Sequence, residues 1–108
     1  MIKIKNYSTD NEFLEFTNGS RITFEHCQDC CEWNYADFDQ IDDIAKSFEF
    51  DESNMRFEKV GESGFRFGNP HNMVFVPCYS SQNGYYSADL DIYYNNKKVV
   101  SFDDLAII

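Results

Sequence analysis

The sequence predicts an α+β fold: a twisted antiparallel β-meander of about six to seven strands packed with one short amphipathic helix. Three observations predict it. Aromatic residues make up 18% of the chain, including eleven Phe and seven Tyr, bulky side chains that pack on pleated sheets rather than in Ala/Leu-rich bundles. Apolar and polar residues alternate through most of the chain, with Gly, Asn and Ser between the runs. Helical spacing occurs in one place, where Ile41, Ile44, Ala45 and Phe48 recur on one side. A length of 108 residues fits a single domain, 1–108, able to bury a core without disulfide staples.

In chain order, Ile2 and Ile4 alternate with Lys3 and Lys5, a short edge strand with its charges outward. Glu12 to Thr17 and Arg21 to His26 form a hairpin around Asn18-Gly19. A two-residue turn would set Leu14 and Phe16 opposite Thr23 and Arg21. A three-residue loop, Asn18-Gly19-Ser20, instead sets Phe16 opposite Ile22 and Leu14 opposite Phe24, keeping the apolar residues on one face and His26 coreward. Cys31 to Asp37 continues as a strand with Trp33 and Tyr35 on a shared face. Asp39, with Asp42 three residues later, has the character of an N-cap for the helix. Gln40, Asp43, Lys46 and Ser47 form its solvated side.

Beyond Met55 the pattern is strand and turn: Arg56 to Val60, Phe65 to Phe67, then Met73 to Val76, stopped by Pro77. Ala88, Leu90, Ile92 and Tyr94 alternate with polar neighbours. A three-residue loop at Asn95-Asn96-Lys97 then sets Ile92 opposite Val100 and Leu90 opposite Phe102.

Nineteen acidic against nine basic residues leave a net charge of −10. Direct binding to nucleic-acid phosphates or an anionic membrane is disfavoured, because no Lys/Arg stripe exists to displace counterions. The excess suits a basic surface on a protein partner. The N-terminus alternates and leads into no apolar h-region, no run approaches membrane-spanning length, and four cysteines then imply reduced thiols in a cytosol.

The densest chemistry is His26-Cys27-Gln28-Asp29-Cys30-Cys31-Glu32. Zinc could be held by His26, Cys27, Cys30 and Cys31, with His71 and Cys78 as further ligands, since Cys27-x-x-Cys30 has the spacing of half a site. Against this, no second C-x-x-C follows, and adjacent strand residues point to opposite faces. Redox work is disfavoured by Asp29 and Glu32, which would raise thiol pKa values. A nucleophilic cysteine activated by His26 and oriented by Asp29 has the residue types it needs, but sequence alone does not bring them together. The favoured reading is a structural latch of His26, Gln28, Asp29, Cys30, Cys31, Glu32 and Asn83, with cysteines packed inward and no cofactor. Glu32 would accept from Asn83 or Tyr86.

An acidic-aromatic surface is expected from Asp37, Asp39, Asp42, Asp43, Tyr85, Tyr86, Asp89, Asp91 and Tyr93, with Asp103 and Asp104 adding charge. Two patches carry a resemblance: His26, Gln28, Asp29, Cys30, Cys31, Glu32 and Asp37, then Asn83, Gly84, Tyr85, Tyr86 and Ser87. The chain resembles, over residues 14–92, a small uncharacterised family of phage and bacterial genomes with an H-x-Q-D-C-C-E motif and a later N-G-Y-Y-S motif. The resemblance implies a common fold and one site shared by both patches, and no activity. Cys27 falls where that pattern is unspecified. The expected function is a non-catalytic cytosolic binding module of phage or mobile-element origin, inhibiting a nucleic-acid-binding host defence protein such as a CRISPR effector. The alternative is a zinc protein or small Cys/His enzyme at His26, Cys27, Cys30 and Cys31. Oligomeric state is not legible.

Overall fold

The computed structural model describes residues 1–26, 32–84 and 86–108, and these are nearly all β. Among the described residues ten strands form: β1 (Ile2–Ser8), β2 (Phe13–Phe16), β3 (Arg21–Glu25), β4 (Trp33–Ala36), β5 (Glu49–Phe50), β6 (Arg56–Val60), β7 (Gly64–Asn69), β8 (Asn72–Ser81), β9 (Leu90–Tyr94) and β10 (Lys97–Phe102). A six-stranded sheet runs β10-β9-β3-β2-β1-β5, and a four-stranded sheet runs β4-β8-β7-β6, every neighbour antiparallel.

Strict alternation supplies each sheet with one apolar face. Leu14, Phe16, Ile22, Phe24, Leu90, Ile92, Val100 and Phe102 come from the first sheet, and Phe65, Phe67, Val74, Val76 and Cys78 from the second. Phe16 lies at the centre, edge-on to Phe50, Phe67 and Tyr94 with ring centroids 5.8–6.1 Å apart, the geometry aromatic quadrupoles favour.

The expected amphipathic helix is absent, which corrects the α+β assignment to two curled antiparallel sheets. Its residues instead form 3-10 turns at Phe38–Ile41 and Ala45–Ser47, with i→i+3 bonds such as Ile44 N–H to Ile41 O at 3.0 Å. Ile41 and Ala45 are buried, but Ile44 is 39% exposed, so the four apolar residues do not form one buried stripe. Asp39, Asp42 and Asp43 have low helix propensity, and a segment this short does not nucleate a helix alone. Asp39 is no N-cap; Asp37 precedes the first turn and makes no side-chain cap bond.

The β2–β3 hairpin keeps Leu14, Phe16, Ile22 and Phe24 inward, but Leu14 pairs with Ile22 rather than Phe24. Phe16 N–H donates to Ser20 O, closing the loop over Thr17-Asn18-Gly19, where Gly19 takes φ 87°. The register is therefore displaced by two residues, which preserves every face. Ile92 does pair with Val100 and Leu90 with Phe102. The turn, however, has two residues, Asn95 and Asn96, both at positive φ, and a bulge between Lys98 and Val100 restores the pairing.

Pro77 does not end its strand. β8 pairs with β7 through residues 72–77 and with β4 through residues 78–81. Pro77 O accepts from Asp37 N–H, so its nitrogen faces the side where β4 has just finished and needs no donor there. Beyond β10, Ser80 N–H donates to Ala106 O and Ile108 N–H to Ser80 O, laying the C-terminal residues parallel beside β8. No helix among the described residues is long and apolar enough to cross a membrane.

Candidate functional site

β3 and β4 belong to different sheets, and the residues just after one and just before the other meet. His26 Nε2 lies 2.7 Å from Glu32 Oε1, with side chains 5% and 1% exposed. His26 Nδ1 lies 3.2 Å from Asp89 Oδ1, just ahead of β9. The ring thus presents Nε2 to one carboxylate and Nδ1 toward another.

Asn34 is the hub. Its position in β4 points inward between the outward Trp33 and Tyr35, so it is 1% exposed. Its amide nitrogen donates to Ser87 O at 2.9 Å and Asp89 O at 2.8 Å, using both hydrogens, and also lies 3.2 Å from His26 Nδ1. Its oxygen accepts from the Ser80 hydroxyl on β8. Gln82 Nε2 then donates to Ser80 Oγ at 2.6 Å, and Gln82 Oε1 accepts from Tyr86 N–H at 2.7 Å. One polar chain therefore runs from β3 across β4 and β8 into the segment before β9. Its Glu32, Asn34 and Ser80 members are buried and Gln82 and Tyr86 half-buried, while the neighbouring Asp89 Oδ1 is buried without a hydrogen-bond partner.

Above this network is a cleft of about 500 Å³ lined by Glu12, Phe24, Glu25, His26, Trp33, Asn34, Asp89, Leu90 and Asp91. Trp33 stacks on Tyr35, ring centroids 4.1 Å apart and planes 19° apart. Glu12 holds φ 64° in the turn between β1 and β2. A glutamate there costs roughly 1 kcal/mol over Gly or Asn, and this backbone places its carboxylate at the cleft. A second, open groove is lined by Asp37, Asp39, Gln40, Asp42 and Asp43. The β1–β2 turn touches both, since Thr9 donates to Asp37 Oδ1 and accepts from Asp39 N–H.

The charge is unevenly compensated. Lys3, Arg21, Lys59 and Arg66 pair with Glu49, Glu15, Glu62 and Glu58, none of which lines either concavity. Among the described residues, only Lys98, 3.6 Å from Asp91, brings a Lys or Arg within 4 Å of a carboxylate lining either one.

Of the expected latch, His26 and Glu32 meet directly, while Asn83 is exposed in the turn after β8. Gln28, Asp29, Cys30 and Cys31 lie outside the described residues, as do Cys27 and Tyr85. The expected acidic-aromatic surface divides in two: Asp89 and Asp91 line the cleft, and Asp37, Asp39, Asp42 and Asp43 the groove. Tyr86 is half-buried, Tyr93 on β9 pairs with Thr23 on β3, and Asp103 and Asp104 are exposed after β10.

His71 sits in the β7–β8 turn, at the opposite end of β8 from Ser80, so it cannot share an ion with His26. Cys78 faces the core, where burial pushes its thiol pKa upward, away from thiolate and metal chemistry. No group of three potential ligands for a metal occurs among the described residues. His26 Nε2 is hydrogen-bonded to Glu32 Oε1, its Nδ1 lies 3.2 Å from both Asn34 Nδ2 and Asp89 Oδ1, and its side chain is 5% exposed.

Asn34, Ser80 and Gln82 were not singled out from the sequence. A polar residue on the inward side of an alternating strand, as Asn34 is between Trp33 and Tyr35, is the signal that reveals it.

Residues 1–92 match the sequence model of a family described as a domain of unknown function, DUF7448. No curated protein and no solved structure matches the chain.

Proposed function

We propose that this chain, which belongs to the DUF7448 family, is a small acidic, non-catalytic binding module whose partner offers a basic protein surface. One observation carries this: two neighbouring concavities lined by eight carboxylates, Glu12, Glu25, Asp89 and Asp91 in one and Asp37, Asp39, Asp42 and Asp43 in the other, with Lys98 as the one Lys or Arg within 4 Å among the described residues. A net charge of −10 steers a cationic partner toward this face, and the attraction decays over about 8 Å at physiological salt. In a sharper form, the partner is a nucleic-acid-binding host defence protein such as a CRISPR effector. The carboxylates would then occupy a groove meant for phosphates, and the gene would be of phage or mobile-element origin.

The test is capture from host lysate by the wild-type chain and by Glu25→Lys/Asp39→Lys/Asp43→Lys, at low and high salt. These three residues are exposed and outside the buried network. The wild type should retain a basic protein more strongly as salt falls, and the variant should release it. Equal capture by both, or capture indifferent to salt, overturns the electrostatic reading. Displacement of the captured protein by nucleic acid supports the sharper form, and indifference to nucleic acid removes it.

A further inference from the structure

We infer that the cleft between β3, β4 and β9 is an arginine-side-chain receptor, the point at which a basic partner inserts one guanidinium. This rests on the binding-module reading and specifies its contact. Three observations converge on a guanidinium.

The first is shape. The cleft, about 500 Å³, has the volume of a ligand-sized site and is more enclosed than the equally large acidic groove beside it. The second is charge. Glu12, Glu25, Asp89 and Asp91 line the cleft, against Lys98 near Asp91 and the buried His26 at its floor. The third is the wall. Tyr35 is stacked on the Trp33 ring, and the half-buried indole also lines the cleft.

A planar, weakly hydrated guanidinium stacks on indole while donating to carboxylates in its own plane. An ammonium is a compact, strongly hydrated charge and uses such a wall less well. The chain makes a related contact internally: the Arg21 guanidinium lies 4.4 Å from the centre of the Phe13 ring and 3.9 Å from Glu15. At the floor, Asn34 fixes the backbone carbonyls of Ser87 and Asp89, so the receptor needs little backbone rearrangement to bind.

Trp33 is the one tryptophan of the chain, so its emission reports occupancy directly. The folded chain is titrated with a short glycine-spaced arginine peptide and with the same peptide carrying lysine. The arginine peptide should shift Trp33 emission saturably and bind about fivefold or more tighter than the lysine peptide. Glu12→Gln/Glu25→Gln, both exposed positions, should weaken it about tenfold, with circular dichroism unchanged. Asp39→Asn/Asp43→Asn, in the neighbouring groove, should leave the Trp33 response in place. Equal responses to lysine and arginine, or undiminished binding in Glu12→Gln/Glu25→Gln, overturn the receptor while lysate capture continues to test the basic-partner reading separately. A saturating peptide that leaves Trp33 emission unmoved also overturns it, by placing the contact elsewhere on the acidic face.

Discussion

His26 Nε2 stands 2.7 Å from Glu32 Oε1, joining the end of a strand in one sheet to the start of a strand in the other. The five residues between them lie outside the described structure, yet the pair itself is buried. Hydrogen bonds to a buried charged group contribute more than neutral ones, roughly 1.5–3 kcal/mol. His26→Ala should therefore lower stability by about 2–3 kcal/mol in denaturant unfolding. A double-mutant cycle with Glu32→Gln should show coupling of about 1 kcal/mol or more; additive losses would mean the two side chains do not act as a pair.

Glu12 tests the balance between stability and binding. Its φ of 64° suits Asn or Gly far better than Glu. Glu12→Asn should raise stability by about 0.5–1 kcal/mol while weakening capture of cationic peptides. A melting temperature that falls instead would show the glutamate side chain to be making a stabilising contact.

Gly68 permits a close approach between two strands and Phe50. A Cβ built there would lie 2.3 Å from Asn72 O and 2.7 Å from the Phe50 ring, at φ 136°. The carbonyl belongs to the tight β7–β8 hairpin and cannot yield as a side-chain tip would. Gly68→Ala should cost about 3 kcal/mol. Gly19→Ala, at a turn with nothing within 4 Å, should cost about 1 kcal/mol from its positive φ alone. Comparable losses at the two sites would contradict the packing described for β7 and β8.

Two tyrosines predict the alkaline limb of stability. Burial, and then its hydrogen bond to Glu52, push the Tyr94 hydroxyl up to about 12. The hydrogen bond to Asp42, and then burial, push Tyr7 up to about 12. The fold thus favours both neutral forms: their contribution is complete below pH 10, the ordinary tyrosine value, and is lost as pH rises toward about 12. Glu52 runs the other way. Bonds from Tyr94, Asn18 and Ser20 lower its pKa, so its contribution is present above about pH 4.5 and lost as pH falls through its lowered folded value. Tyr94→Phe should flatten both limbs of a stability-versus-pH curve; unchanged acid and alkaline slopes would exclude this bond from the folded chain.

Most strands were legible because alternation survives errors of register. Leu14 and Phe16 stay inward whether Leu14 faces Phe24 or Ile22, since the two registers differ by an even number of residues. The pairing of Ile92 with Val100 was legible too, although a two-residue turn and a bulge stand where a three-residue loop was expected. Helical spacing at Ile41, Ile44, Ala45 and Phe48 misled, because local periodicity cannot tell whether a segment has the length and propensity to close i→i+4 bonds. The cleft was only half legible. Asp89, Asp91 and His26 stood out by type, but Asn34 and Glu12 matter through where the backbone carries them. That depends on contacts between residues more than fifty positions apart, such as Asn34 with Asp89.

β8 lends its first half to β7 and its second half to β4, with the C-terminal residues alongside Ser80. It is thereby the spine of the four-stranded sheet, shared by three separate segments of the chain. Amide exchange along Val74 to Ser80 should accordingly report one shared opening energy rather than a gradient. A ligand seated between β3, β4 and β9 would slow exchange at the far hairpin as well as beside itself.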